Sequence, residues 1–390
     1  MGKREIKKID EFADVITGGT PSTLISDYWD NGTVPWLQSG VCQNKDITEC
    51  STYITESGLH KSSAQVMPKD SVLIALTGAT TGKVGYLTFN ACANQSVTGI
   101  LPNNNFIPRY LFYYLISIRE KTLAESYGGA QKHISQGYVK KIPVPLPPLD
   151  EQKRIADVLD KASELIKKRK EQIRLMDQLA RSLFIEMFGD PVENPMMWEL
   201  KILGDLGAFK NGINYGQKDT GYSVKILGVG DFKSQNIFDN IDSLSSVRLT
   251  KKPNSDYFLN DGDIIFVRSN GSRELVGRNI IIYPRGKLVT FSGFCIRFRV
   301  LSERILPSYL QNLLLIPSQK SLLLENGRGC NIQNLNQQML SSINIPLPPL
   351  SLQNEFANRI AVIEQQKALL QDGLAKMETA YKALMQEYFG

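Results

Sequence analysis

The side chains best suited to chemistry in this chain sit in glycine-punctuated segments rather than in catalytic clusters. Gly78-Ala79-Thr80-Thr81-Gly82-Lys83-Val84-Gly85 sets hydroxyls and a lysine among glycines, directly after an apolar, strand-like run. A phosphate loop needs four residues between its glycines and Ser or Thr after the lysine; here three residues separate Gly78 from Gly82, and Val84 follows Lys83. Nucleotide binding is therefore disfavoured, and the segment reads as a turn between strands whose backbone and Lys83 would approach a phosphate. The corresponding stretch of the second half carries Arg268, Ser269, Asn270, Gly271, Ser272, Arg273 and then Arg278. Arginine can bind guanine O6 and N7 bidentately and asparagine can pair with adenine, while serine and further arginines hold phosphates. A solvated basic loop is the alternative. A third set precedes two proline-rich runs: Tyr127, Gln131, Lys132 and His133 in one, Arg328, Asn331, Gln333 and Asn334 in the other. These groups suit base edges, or else form a polar connector bonded to its own backbone. Thr20, in Thr17-Gly18-Gly19-Thr20-Pro21-Ser22, sits in a plain turn or in a loop that touches phosphate, with the turn preferred.

Little else points to catalysis. The two histidines, His60 and His133, leave few means for a metal site or a Ser-His-Asp arrangement, so no catalytic residue and no metal are expected. Asn194-Pro195-Met196-Met197 matches only the first half of an adenine methyltransferase motif and reads as a linker. Cys42, Cys50, Cys92, Cys295 and Cys330 are scattered and odd in number, as expected of reduced thiols. The net charge of +6 favours a polyanionic partner without requiring one. No apolar run approaches the roughly 20 residues of a membrane span, and the basic N-terminal residues are not followed by an apolar stretch. A cytoplasmic protein with no membrane partner is expected.

The elements that position these segments are written twice. At an offset of 201, Leu146-Pro147-Pro148-Leu149 aligns with Leu347-Pro348-Pro349-Leu350, Gln152 with Gln353, and Phe188-Gly189 with Phe389-Gly390. Upstream the offset drifts to 194, where Gly18 meets Gly212, and to 192, where Val72-Leu73-Ile74-Ala75 meets Ile264-Ile265-Phe266-Val267. Insertions in loops on a shared scaffold produce such drift.

After each Pro-Pro-Leu a long helix is expected, because proline can lead into a helix but not sit within it. One seam runs through Ile155, Leu159, Ile166, Ile173, Met176 and Leu183, and the other through Phe356, Ile360, Ile363, Leu370, Leu374, Met377 and Leu384. Arg169 and Lys367 each interrupt a seam once. Spacings of three and four over five heptads predict that the helices pair with each other, the alternative being that each packs on its own domain. The fold class is α+β: two globular α/β domains joined by two long helices in an antiparallel coiled coil, with a pseudo-twofold internal repeat. The expected segments are a globular domain over 1–146, a proline lead-in and helix over 147–190, a second globular domain over 191–347, and a second lead-in and helix over 348–390. A helix of roughly 38 residues spans about 57 Å. Two unlike heads held apart in this way could touch two short sequences on one face of B-DNA.

The pattern Gly128-Gly129-Ala130-Gln131-Lys132-His133-Ile134, then Ile142-Pro143-Val144-Pro145-Leu146-Pro147-Pro148-Leu149-Asp150-Glu151-Gln152, the heptads and Phe188-Gly189-Asp190-Pro191, resembles the specificity subunit of type I restriction-modification enzymes. The Gly78 to Gly85 segment is similar to one in the target recognition domains of that family. The second copy departs from the pattern where Leu352 replaces the glutamate before Gln353 and where Arg268 to Ser272 replaces the glycine-rich run. The resemblance implies a non-catalytic subunit that binds an asymmetric bipartite site in double-stranded DNA, one half-site per head. It also implies two methyltransferase subunits docked on the helices, joined by motor-nuclease subunits. No cofactor is expected on this chain, and S-adenosylmethionine, ATP and Mg would belong to the partners. A coiled-coil scaffold that binds only protein and a free-standing DNA-modifying enzyme are the competing readings.

Overall fold

A computed structural model of the chain describes residues 5–126, 133–216, 221–232, 236–269, 275–325 and 334–390. It divides into two units, Met1–Lys170 with Asp372–Gly390, and Glu171–Gln371. Both long helices are therefore shared between units, whereas the sequence division assigned each helix a segment of its own.

The first unit contains β1 (Glu5–Lys8), β2 (Val15–Thr17), β3 (Val34–Leu37), β4 (Lys45–Ile47), β5 (Tyr53–Ile54), β6 (Val72–Ala75), β7 (Val84–Leu87), β8 (Cys92–Ala93), β9 (Val97–Ile100) and β10 (Pro143–Leu146). They form a five-stranded sheet in the order β2-β9-β6-β7-β4, a three-stranded sheet β5-β3-β8 and a ribbon β1-β10. The second unit contains β11 (Glu199–Ile202), β12 (Gly207–Asn211), β13 (Tyr222–Leu227), β14 (Ile237–Phe238), β15 (Ser246–Leu249), β16 (Asp263–Val267), β17 (Asn279–Ile282), β18 (Val289–Phe291), β19 (Cys295–Val300) and β20 (Asn344–Leu347). Their orders are β12-β19-β16-β17-β14, β15-β13-β18 and β11-β20. Strand for strand the topology is the same, parallel pairs included: β4 with β7 and β3 with β8 in one, β14 with β17 and β13 with β18 in the other.

The central strands explain the continuous apolar runs. Alternate residues of a strand face opposite sides of its sheet. Val72 and Ile74 of β6 enter a core shared with the helix Pro108–Ser117, while Leu73 and Ala75 enter a second core with Leu37 and Met67. Both faces are covered, so β6 is apolar at every position. Ile264 and Phe266 of β16 divide from Ile265 and Val267 in the same way. Gly18 and Gly212 fit the repeat because a Cβ at either would strike a backbone carbonyl, that of Ala93 and of Ser292 respectively.

The repeated glutamine has a structural task. The long helices span Leu149–Phe188 and Leu350–Phe389, and the amides of Glu151 and Gln152 bond to the Pro148 carbonyl. Gln152 is buried one turn in. Its Oε1 accepts from the Ile107 amide at 2.9 Å, at the head of Pro108–Ser117, and its Nε2 donates to the Pro147 carbonyl at 2.8 Å. Gln353 repeats this, accepting from the Leu306 amide at 2.8 Å and donating to Pro348 at 2.9 Å and Arg304 at 3.0 Å. The tyrosine hydroxyls of Tyr110 and Tyr309 donate to the Pro145 and Pro346 carbonyls. The proline run is thus sewn to the helix that precedes it and to the helix that follows.

In each unit the two long-helix segments run antiparallel. In the first, Ile155 and Leu159 share a core with Met385 and Tyr388, and Lys170 pairs with Glu378 at 2.8 Å. In the second, Phe184 and Phe188 lie edge-on to Phe356 at 5.5 and 5.3 Å between ring centres, and Lys367 meets Asp177 at 2.5 Å. Among the seam residues, Ile155, Leu159, Phe356 and Ile360 are buried, and Ile166, Ile173, Met176, Leu183, Ile363, Leu370, Leu374, Met377 and Leu384 are half-buried. The seam missed Phe184 and Met385, equivalent positions that are both buried, because near its C-terminal end each long helix packs into the core of a head as well as against the other helix. Lys367 differs from the expected interruption: its side chain is only 2% exposed and its ammonium reaches Asp177, whereas Arg169 is half-buried beside Gly373. Asn194 belongs to the connector, its side chain bonding the Trp198 amide and carbonyl. Cys42, Cys50, Cys92 and Cys295 are free thiols. Among the described residues no helix is long and apolar enough to cross a membrane, and no cluster could hold a metal ion.

Candidate nucleic-acid interface

Three chain segments meet at the strand-end edge of each five-stranded sheet, beyond its central strand. In the first unit, the turn after β6 opens with Leu76, whose amide donates to the Ser96 carbonyl at 2.8 Å and whose carbonyl accepts from the Ile134 amide at 2.9 Å. Thr77 forms a bridge with His133. The glycine turn and the segment before the proline run, read separately in the sequence, therefore lie side by side. Thr20 joins them from a third direction, its hydroxyl bonded to Gln95 beside Ser96. The turn itself is a single 3-10 turn, Gly78–Thr80, closed by Gly78 and Gly82 at φ +80° and +71°, a region only glycine enters freely. Gly78 and Ala79 are exposed at its tip.

The second unit repeats the scaffold with other side chains. The Arg268 amide donates to the Phe294 carbonyl at 2.8 Å, its carbonyl accepts from Leu335 at 2.8 Å, and Ser269 bridges Asn334. By these bonds Arg268 takes the place of Leu76, Ser269 of Thr77, Asn334 of His133 and Phe294 of Ser96. Arg268 is half-buried where Leu76 is buried, and its guanidinium has no hydrogen-bond or ion-pair partner among the described residues. Residues 191–347 hold 18 Lys and Arg against 13 Asp and Glu, a net of +5, so the second head carries most of the chain's excess positive charge.

Two expected contacts stand apart from this meeting point. Lys83 and Arg278 are equivalent residues, each following a positive-φ glycine (Gly82, Gly277) and each bonded through its carbonyl to the opposite stem of the turn. The Lys83 ammonium donates to Gln43 at 2.7 Å. Arg278 lines a cavity of about 290 Å³ with Asp177, Arg181, Asn312 and Lys320. Burial pulls its guanidinium below the usual range and Asp177 partly restores it. Arg278 therefore faces the long helix rather than the Ser269–Asn334 edge. Tyr127, Gln131, Lys132, Asn270, Arg273, Arg328, Asn331 and Gln333 lie outside the described residues. The sequence reading missed the turns Asn94–Ser96 and Ser292–Phe294, which supply the third side of each edge. The signal available was the aromatic after Gly293 in Phe291-Ser292-Gly293-Phe294, where an apolar strand pattern calls for a polar turn.

Two copies of one α/β scaffold, whose polar edges carry different side chains, define a double-headed recognition protein. Residues 1–175 and 195–379 match the family model of the type I restriction modification DNA specificity domain. The chain is 28% identical over 304 residues to the type I restriction enzyme MjaIX specificity subunit of Methanocaldococcus jannaschii, covering 71% of this chain and 68% of that one. It is 26% identical over 356 residues to the StySPI specificity subunit of Salmonella potsdam, covering 86% and 76%. The crystal structure of the type I restriction-modification S subunit from M. genitalium shares the fold, with a TM-score of 0.60 at 16% identity, over 100% of this chain and 96% of that one. The chain belongs to the type I specificity-domain family, as a DNA-recognising specificity subunit of a restriction-modification system.

Proposed function

We propose that this subunit selects an asymmetric, two-part site in double-stranded DNA, each head reading one half-site. The observation that carries this reading is the pair of edges: identical backbone bonding presents Thr77, Ser96 and His133 in one head, and Ser269, Phe294 and Asn334 in the other. Identical edges would select a palindrome; these do not. Serine and asparagine supply donors and acceptors for base edges and phosphates, and the Arg268 guanidinium adds a donor fork. The long helices set the separation of the half-sites and dock two methyltransferase subunits, which motor-nuclease subunits join. Specificity subunits are non-catalytic components of such complexes. S-adenosylmethionine, ATP and Mg are then bound by the partners, and adenine is flipped and methylated by them.

The test is reconstitution. The chain combined with its methyltransferase subunits should methylate adenine only within a split, non-palindromic sequence. Methylation of adenine in every context would overturn site selection by this chain, and methyl transfer by the purified chain alone would overturn its assignment as a non-catalytic subunit.

A further inference from the structure

The Ser292–Phe294 turn combines a pinned backbone with a projecting ring. The Ser292 amide donates to Leu227 at 2.9 Å and the Gly293 amide to Ile213 at 2.7 Å. The Ser292 hydroxyl oxygen accepts from the Phe294 amide at 3.3 Å, and the Ser292 carbonyl accepts from the Cys295 amide at 2.8 Å. The Phe294 carbonyl in turn holds the Arg268 amide. Every residue of the turn is tied down, yet the Phe294 side chain is 61% exposed, with no aromatic neighbour among the described residues. In the first head these bonds recur, except that the Gly293 bond to Ile213 has no counterpart at Gln95. Asn94 Oδ1 accepts from the Ser96 amide at 3.1 Å, the Asn94 carbonyl accepts from Val97, and the Asn94 amide donates to Leu37. There the tip carries Gln95 and Ser96 instead of Gly293 and Phe294.

Resting on the reading that each head binds DNA, we propose that Phe294 is a stacking wedge, which enters a base step of the half-site read by the second head and unstacks it. An exposed aromatic on an immobilised turn loses little conformational freedom on insertion, and duplex deformation by apolar wedges is an established mode of DNA binding. The positive charge of this head and Arg268, whose amide is bonded to the Phe294 carbonyl and whose guanidinium has no partner among the described residues, favour a duplex over an apolar protein surface as the occupant. At Gly293 a Cβ would strike the Asn214 side chain, so the tip beside Phe294 carries no side chain, whereas Gln95 stands there in the first head. Specificity at this step then comes partly from how easily the step opens, a property of sequence that needs no hydrogen bond. The first head, with Ser96 at this place, leaves its half-site stacked there.

The reconstituted methyltransferase complex, on a duplex of the sequence it methylates, supplies the test. 2-Aminopurine is placed at successive steps of each half-site, omitting the methylated adenine. The unsubstituted complex should raise emission at one step of the second head's half-site. Phe294→Ala should abolish that rise and weaken binding about 5- to 150-fold, the range of aromatic–base stacking. Phe294→Trp should preserve both. Binding within twofold of wild type in Phe294→Ala overturns the wedge, as does weaker binding with no emission rise at any step in the unsubstituted complex. If that complex shows no preference for its target over random duplex, the DNA-reading function itself fails, an outcome seen before any substitution is made.

Discussion

Replacing Gln353 by leucine should loosen the second unit far more than one buried side chain of equal size would suggest. The fully buried amide accepts from the Leu306 amide and donates to the Pro348 and Arg304 carbonyls. Leucine preserves volume but leaves one half-buried donor and two carbonyls without this partner. A buried group left unsatisfied costs about 1–3 kcal/mol, with carbonyls at the low end because each has a second lone pair. About 3 kcal/mol is therefore expected, or a fall in melting temperature of roughly 6–12 °C for a unit of this size. Calorimetry of the full chain reads this directly, and a single value is assigned only to the transition of the second unit, since two units need not melt together. Gln353→Glu sharpens the test: a carboxylate can still accept from Leu306 but opposes the two carbonyls, so it should be destabilised at pH 7. A melting temperature within about 2 °C of wild type for Gln353→Leu, or a fully stable Gln353→Glu, would refute the reasoning.

The Lys367–Asp177 pair should respond asymmetrically. Asp177→Asn strands the ammonium of a side chain that is 2% exposed and should cost about 3 kcal/mol, whereas Lys367→Met leaves the carboxylate of a side chain 35% exposed and should cost about 1 kcal/mol; equal losses in urea unfolding would contradict this. Burial pushes the thiols of Cys42 and Cys295 up to about 12 and that of Cys92 to about 11. The native state keeps these protons while the unfolded chain releases them near 9, so stability is intact below that pH and falls as pH rises towards 12. Each thiol should cost about 1 kcal/mol at pH 10, lowering the urea midpoint relative to pH 7.5, and an unchanged or higher midpoint would count against it. The same three thiols should resist a disulfide reagent at pH 8 until the chain is unfolded, and rapid reaction of all five cysteines would disprove their burial. Seven residues inserted into one long helix alone should change the permitted spacer of the DNA target or abolish activity of the complex, and an unchanged spacer with normal stability would remove the helices as its determinant.

Much of the fold could be read from sequence because its strongest signals are local. Pro-Pro-Leu fixes where a helix begins, and the seam residues fall on its covered face. The offsets of 194 and 192 match the strand registers, in which Val15 and Phe209 oppose Ile100 and Phe298, themselves opposite Val72 and Ile264. Gln152 and Gln353 were visible as a repeat but not as a clasp, because their partners lie 45 and 47 residues earlier in the chain. Site residues were harder to read for the same reason. That Thr77 meets His133, or that Ser269 meets Asn334, depends on the strand order, not on any spacing along the chain. Arg278 looked like part of one basic cluster with Arg268, but the two stand on opposite stems of a turn, and the guanidinium of Arg278 faces a cavity beside Asp177.

The central claim is that each head reads its own half-site independently, and a head exchange tests it most directly. Residues 1–146 are replaced by the equivalent head of a relative with a known target, and the methylated adenines of DNA treated with the reconstituted complex are mapped. The account predicts a new sequence in one half of the site, with the other half and the spacer retained. Change or loss of recognition in both halves, from a complex that assembles normally, would contradict it.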